Sequence, residues 1–308
     1  SNKSGIYPLW CFVMSARGVL YFLGFQVLIY ALWVCSDRNA WFRVYGMDPL
    51  QFQNNQIGQF TFILVNDVVI WSAAMGLVSL SGAAFGSARV QAGLCTSYSL
   101  FHLAALYMVV TRSIPAAKAM NPRADVTLLR LSVAHILVCL LLSLHGTRDA
   151  YKRLWSTPPS HPSLRVGQSL FQKWVLIAIG GVQLVYGVYI VLWPQAFLEA
   201  SGVDSVGTHL AEAPSSSSSA SAALVSVLCL AWIGFQTSFS AAAMISVGLT
   251  GTDGARFRML LIAALIYSII SYLLVTVRLP FLEQHNKSTT DLKNGIGHAL
   301  FNVVFAIL

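Results

Sequence analysis

A carboxylate and two imidazoles are the side chains of this sequence best suited to chemistry. Asp67 lies within a long apolar run, and His102 and His135 lie in the next two runs. A carboxylate is costly in the hydrocarbon of a bilayer unless it is paired or hydrated, so Asp67 must face protein or water. If the runs are helices that rise about 1.5 Å per residue, the three side chains reach similar depths. The pattern predicts an intramembrane polar site where they meet.

Two interpretations of this polar site stay open. In the first, Asp67 accepts a proton or binds a polar headgroup, and the histidines are its titratable partners. In the second, the same groups form hydrogen bonds between helices that fix the packing, each worth about 0.6 to 2 kcal/mol. A haem held by His102 and His135 is a weaker alternative, because no flanking motif accompanies them. The sequence therefore predicts no cofactor and no metal site.

The elements that must position these residues are long apolar helices. Hydrophobic residues make up 56% of the 308 residues and charged residues only 10%, unlike a soluble domain. Because a helix needs roughly 20 apolar residues to cross about 30 Å of hydrocarbon, each long apolar run predicts one span. The predicted spans cover residues 16–35, 57–80, 90–111, 125–145, 170–193, 221–249, 256–278 and 291–308. The predicted fold class is an all-α polytopic membrane protein with eight transmembrane helices.

The two halves of the chain repeat each other. Residues 72–82 align with residues 241–251 with six identities in eleven positions. Four spans in each copy make both copies enter the bilayer in the same direction, so we expect two tandem same-direction four-helix repeats. The predicted domains are a first repeat at 1–147, a basic, Pro-rich linker at 148–169, and a second repeat at 170–308 with a Ser-rich loop near 213–220.

The polar layer of the first copy has a counterpart in the second. The places that correspond to Asp67, His102 and His135 hold Gln236, Tyr267 and His298. The layer therefore persists in both copies, whereas the carboxylate occurs in one. Persistence favours an architectural role, and the single carboxylate leaves room for a specialised one.

The basic residues suggest contacts with lipid. Arg112 and Arg278 stand at nearly matched places before Pro115 and Pro280, and each is predicted to reach a phosphate headgroup or an acid of a partner. The net charge of +8 suits an anionic membrane surface, such as one rich in cardiolipin. Nucleic acid is not an expected partner, because the basic residues stand singly between the apolar runs.

The second copy carries the features of a known family. Its first span contains Gly181-Val-Gln183 and leaves the membrane at Trp193-Pro194, and a short amphipathic stretch leads to Gly202. The copy ends in a span that bears a histidine. This pattern resembles the DoxX-like superfamily of four-helix membrane proteins, although the first copy has Cys35-Ser36 in place of the Trp-Pro exit. Because that group includes subunits of membrane oxidoreductases and many other proteins, the resemblance implies a helical bundle rather than a reaction.

Function is predicted mainly from what the sequence lacks. It contains no Walker loop, dinucleotide fingerprint, HExxH motif or GxSxG motif, so no catalytic residue is predicted. We expect a non-catalytic accessory subunit of a larger membrane complex that contacts other membrane-protein subunits and phospholipid. The expected location is the mitochondrial inner membrane, with another organelle or the plasma membrane as alternatives. Ser1 at the start of the chain is compatible with a removed leader, a trimmed chain or a missing start.

The alternative function belongs to a different class. In it, the protein is a quinone- or sterol-handling membrane enzyme or a small-molecule carrier. Asp67, His102 and His135 would then line an intramembrane pocket. The two hypotheses differ most sharply at Asp67: its replacement by Asn should abolish the activity of an enzyme or carrier, but should alter only the assembly of an accessory subunit or have almost no effect.

Overall fold

The fold is that of an integral membrane protein built from helices. A computed structural model of the chain describes residues 15–45, 49–52, 55–156, 168–203, 206–212, 217–285 and 287–307. Every regular element in these ranges is a helix. Seven of the helices are long and apolar enough to cross a membrane. The all-α class and the polytopic membrane character are therefore confirmed.

The helices follow nearly the same order in the two halves of the chain. The first half contains α1 (Ala16–Ser36), α2 (Arg38–Val44), a 3-10 helix (Pro49–Phe52), α3 (Gln56–Phe85), α4 (Ala88–Met108), a π-helix (Val109–Ser113), α5 (Ile114–Met120) and α6 (Thr127–Ser156). The second half contains α7 (Gln168–Leu192), α8 (Pro194–Ala200), α9 (Val206–Ala211), α10 (Ser218–Thr250), α11 (Asp253–Leu273), a π-helix (Leu274–Arg278), α12 (Leu279–Gln284) and α13 (Thr290–Ile307). Both α4 and α11 have 21 residues and continue into a five-residue π-helix.

Polar side chains start the long helices. Asn55 accepts a hydrogen bond from the Gly58 amide at the start of α3, and Ser217 accepts one from the Ala220 amide at the start of α10. Such caps satisfy amide groups that the first turn of a helix leaves without partners. The Ser217 cap also places residues 218–220 in α10 rather than in the predicted Ser-rich loop, of which residues 213–216 lie outside the described residues.

The predicted linker at 148–169 begins inside a helix, because α6 continues to Ser156. Asp149 accepts a hydrogen bond of 2.8 Å from the Ala16 amide, and it forms a 2.9 Å ion pair with Arg153. The hydrogen bond from Ala16 holds the last turns of α6 against the start of α1. The middle of the linker lies outside the described residues.

The last predicted span coincides with α13 but is less apolar than the others. α13 has 18 residues, and its first turns carry Lys293 and Asn294. It is not among the seven helices that meet the length and hydropathy expected of a span.

The long helices α3 and α10 pack against each other in the centre of the molecule. Thr61 and Ser226 join them through hydroxyl groups 2.7 Å apart. Of these two helices, α4 packs more on α10 than on α3, and α11 packs more on α3 than on α10. The third long helix of each half therefore lies against the second long helix of the other half. This exchange brings Asp67 on α3 next to the end of α11.

Candidate functional site

Asp67 forms an ion pair with Arg278. Arg278 Nη2 donates a hydrogen bond to Asp67 Oδ2, and the two side chains are 14% and 18% exposed, respectively. The Arg278 guanidinium also lies 5.8 Å from the centre of the Phe60 ring. The partner that the buried carboxylate requires is thus an arginine 211 residues further along the chain. Arg278, which was expected at lipid headgroups, points into the bundle instead.

The two arginines point in different directions because they lie at different positions of the two matching π-helices. Arg112 is the fourth residue of the first π-helix, whereas Arg278 is the fifth residue of the second. Successive residues of a helix differ in direction by about 100°, so the two side chains cannot share one face. Ser113, the fifth residue of the first π-helix, is fully buried, and Arg112 is exposed. Arg112 therefore has the outward position that a headgroup contact requires.

The ion pair lies in the wall of a cavity of about 410 Å³. The cavity is bounded by α3, α7, α8 and α10, by α11 with its π-helix and α12, and by α13. Aromatic and aliphatic side chains form most of the wall. Its polar side chains, apart from the ion pair, include Asn66, Gln183, Tyr186, Tyr189, Tyr267 and His298. A mostly apolar cavity with a few polar groups is typical of sites for small molecules.

Gln183 is one of the residues of the cavity wall that the sequence analysis did not predict. It lies on α7 and is only 3% exposed. Neither its amide nitrogen Nε2 nor its amide oxygen Oε1 has a hydrogen-bond partner among the described residues. The sequence feature that could have indicated it is the Gly181-Val-Gln183 motif, which belongs to the resemblance to the DoxX-like superfamily. A buried amide without partners has a free-energy cost that a bound ligand can relieve.

Three of the six residues of the predicted polar layer line the cavity, and a fourth lies between the two central helices. Tyr267 on α11 and His298 on α13 share the cavity wall with Asp67. His298 Nε2 also lies 3.3 Å from the Asn302 amide nitrogen. Gln236 is not part of the wall, because its Nε2 donates a 2.7 Å hydrogen bond to the Ser72 hydroxyl between α10 and α3.

The other two predicted residues, His102 and His135, do not line the cavity. His102 is 4% exposed and packs between Tyr98 and Phe101, with ring centres at 5.5 and 5.4 Å. His135 is exposed, and its Nε2 lies 3.6 Å from Cys139 Sγ. Asp67 pairs with Arg278 rather than with these histidines, because α4 packs on α10 while α11 packs on α3.

Aromatic rings fill the contact between α4 and α10. The centre of the Phe101 ring lies 6.3 Å from the ring centres of both Trp232 and Phe239. The ring centres of Tyr98 and Phe239 are 4.5 Å apart. The contact between α3 and α11 has an ion pair and a cavity in the comparable position. The polar layer is therefore lined very differently in the two halves of the chain.

Among the described residues, no three His, Cys, Asp or Glu side chains are grouped so that they could hold a metal ion.

The fold and the cavity define the class of protein as a helical integral membrane protein with an internal, largely apolar cavity. Comparison of the chain with protein-family models, with curated proteins and with solved structures found no match.

Proposed function

We propose that the protein binds a small amphipathic molecule of the quinone or sterol class inside the bilayer, as a carrier or as a membrane enzyme. The observation that carries this proposal is the cavity of about 410 Å³ with the Asp67–Arg278 ion pair in its wall. The size and mostly apolar lining suit a lipid-soluble molecule, and the few polar groups would orient its head. We assign no catalytic residue.

Packing alone does not account for the ion pair. Replacing a buried ion pair with well-packed apolar residues is often neutral or stabilising, so such a pair is weak evidence for a stabilising role. Ionisable residues inside membrane bundles mark sites for substrates and ions by default. An ion pair next to open space supports a ligand site more strongly than it supports a structural contact.

The test compares two neighbouring isoleucines on α11. Ile270 lines the cavity, whereas Ile269 is 40% exposed on the outer surface. Purified protein in lipid nanodiscs is titrated with a radiolabelled sterol and with a short-chain quinone. We expect saturable binding of at least one of the two probes to the wild type and to Ile269→Trp, and loss of that binding in Ile270→Trp because the indole fills the cavity. Absence of saturable binding to the wild type, or equal binding to both variants, contradicts the proposal.

A second proposed function is that of an accessory subunit of a larger membrane complex. The observation that favours this role is the exposure of α6. Only 22% of its apolar membrane-spanning segment is buried inside the protein, the lowest share among the seven helices that could span a membrane. Leu131, Leu141 and Leu144 are among its exposed large side chains. Another membrane subunit or phospholipid would cover this surface. Native membranes solubilised in mild detergent should then yield the protein in a large complex, and a free monomer alone contradicts this role.

We also propose that the architecture is two tandem same-direction repeats with eight spans, α13 being the eighth, of the DoxX-like kind. The two helix–π-helix units at matching places and the aligned residues 72–82 and 241–251 support the duplication. The mitochondrial inner membrane is the proposed location, supported by a net charge of +8, which suits cardiolipin-rich membranes.

A further inference from the structure

The cavity reaches the outer surface of the bundle between α7 and α13. Val182 and Tyr186 on α7 line the cavity and are 52% and 42% exposed, respectively. Gly295 and His298 on α13 also line it and are also exposed. A residue that is both in the wall of a cavity and on the molecular surface marks an opening. We call this opening between α7 and α13 the side gap.

The side gap is open at Gly295. A Cβ atom added there would meet no atom of the described residues within 4 Å. α13 packs mainly on α11 and makes few contacts with α7, so no part of the described chain fills the space between α7 and α13. Because α7 is one of the apolar helices that span the membrane, the gap faces the bilayer. A ligand that passes through it comes sideways from the lipid.

The charges of the cavity favour a neutral ligand. Asp67 and Arg278 neutralise each other, and no other Asp, Glu, Lys or Arg is among the described residues of the wall. An anionic or cationic head would leave one uncompensated charge in a poorly solvated site, which is strongly unfavourable. The head of the ligand should therefore be polar but uncharged.

Gln183 specifies the hydrogen bonds of that head. Its carboxamide presents both a donor and an acceptor, and both are buried without partners among the described residues. A hydroxyl group can accept from the Nε2 and donate to the Oε1, so one hydroxyl can satisfy both atoms. A carbonyl or an ether can accept only, which leaves the Oε1 unsatisfied.

We propose that the cavity takes a neutral lipid alcohol, of the sterol or quinol kind, from the bilayer through the side gap, with its hydroxyl bound by Gln183. This inference rests on the proposed function and narrows it to one head chemistry and one route of entry.

The head chemistry is tested by competition in nanodiscs. The bound probe is radiolabelled cholesterol, and the competitors are a long-chain quinol, cholesteryl methyl ether and oleate. We expect competition by the quinol, about tenfold weaker competition by the methyl ether, which lacks the donor, and none by oleate. If the methyl ether or oleate competes as well as the quinol, the proposed head chemistry is wrong.

Gln183 is tested with Gln183→Leu. The substitution removes the donor and the acceptor but breaks no hydrogen bond of the described structure, so the thermal stability should not fall. Cholesterol binding should weaken about tenfold. Unchanged affinity in a folded Gln183→Leu variant overturns the role of this residue.

The route is tested with two glycines of α13. Gly295→Phe places a ring in the side gap. Gly297→Phe is the matched control, because Gly297 is equally open but does not line the cavity. Cholesterol association should slow by about tenfold or more in Gly295→Phe and stay unchanged in Gly297→Phe. Equal rates in both variants show that the ligand enters elsewhere.

The result for other ligands separates this inference from the proposed function. If an anionic amphiphile or a quinone without hydroxyl groups binds and Ile270→Trp abolishes that binding, the cavity is a ligand site but the alcohol inference is wrong. If no amphiphile binds saturably, both proposals are wrong.

Discussion

Asp67 and Arg278 are the residues that a membrane interior tolerates least, and each makes the other acceptable. Their side chains are less than one-fifth exposed, so the loss of one leaves a nearly buried charge without a partner. We predict that Arg278→Ala lowers the free energy of unfolding by about 3 kcal/mol or more, measured by denaturation in detergent. Arg112→Ala is the control, because the exposed Arg112 should change stability by less than about 0.5 kcal/mol.

Replacing both charges at once should have a different effect. We predict that the double variant Asp67→Leu/Arg278→Met recovers most of the stability lost in Arg278→Ala, because no unpaired charge remains. Denaturation in detergent measures the recovery. The same variant should bind lipid probes differently from the wild type if the pair serves a ligand. If the double variant is as unstable as Arg278→Ala, the loss of stability does not come from an unpaired charge, and this prediction is wrong.

At the scale of the element, glycines decide how closely the helices approach. Gly187 on α7 faces α10, and a Cβ there would lie 2.6 Å from the Ser238 hydroxyl and 2.8 Å from the Gly234 carbonyl oxygen. At Gly181 on the same helix, such a Cβ would have no atom of the described residues within 4 Å. Small residues at these contacts are typical of membrane bundles, because they let two helices pack closely.

These two glycines give a matched pair of variants. We predict that Gly187→Ala destabilises the protein by about 1–3 kcal/mol, because the methyl group pushes α7 away from α10. Gly181→Ala should be neutral or stabilise by up to about 1 kcal/mol, because alanine favours the helix more than glycine does. Thermal unfolding of both variants in one detergent measures the difference. Similar losses in the two variants would contradict the packing of α7 on α10.

At the scale of the whole molecule, the direction of the repeats is testable by labelling. Single cysteines are placed at Arg123, Glu283, Arg89 and Asp253 in a background without the natural cysteines. An impermeant maleimide applied to sealed vesicles should label Arg123→Cys and Glu283→Cys from one side, and Arg89→Cys and Asp253→Cys from the other. Labelling of Arg123→Cys and Glu283→Cys from opposite sides contradicts two same-direction copies, because an inverted copy reverses its loops.

Much of the membrane architecture could be predicted from the sequence. The predicted spans at 16–35 and 170–193 agree closely with α1 and α7, because hydrophobic length is a local property of the chain. The ends of α6 and α10 were harder to predict. The first depends on the contact of Asp149 with the start of α1, and the second on the Ser217 cap. Asp67 was identified because a carboxylate within an apolar run is conspicuous.

The sequence by itself determined that the protein lies in a membrane, that it is helical and that Asp67 needs a partner. These follow from composition and from the high free energy of an isolated charge in hydrocarbon. Only the tertiary structure decided that the partner is Arg278, that His102 and His135 lie elsewhere, and that Gln183 is buried without partners. The physical reason is that close contacts between helices distant in sequence decide which helices are neighbours, and these contacts are not encoded in any local pattern of the chain.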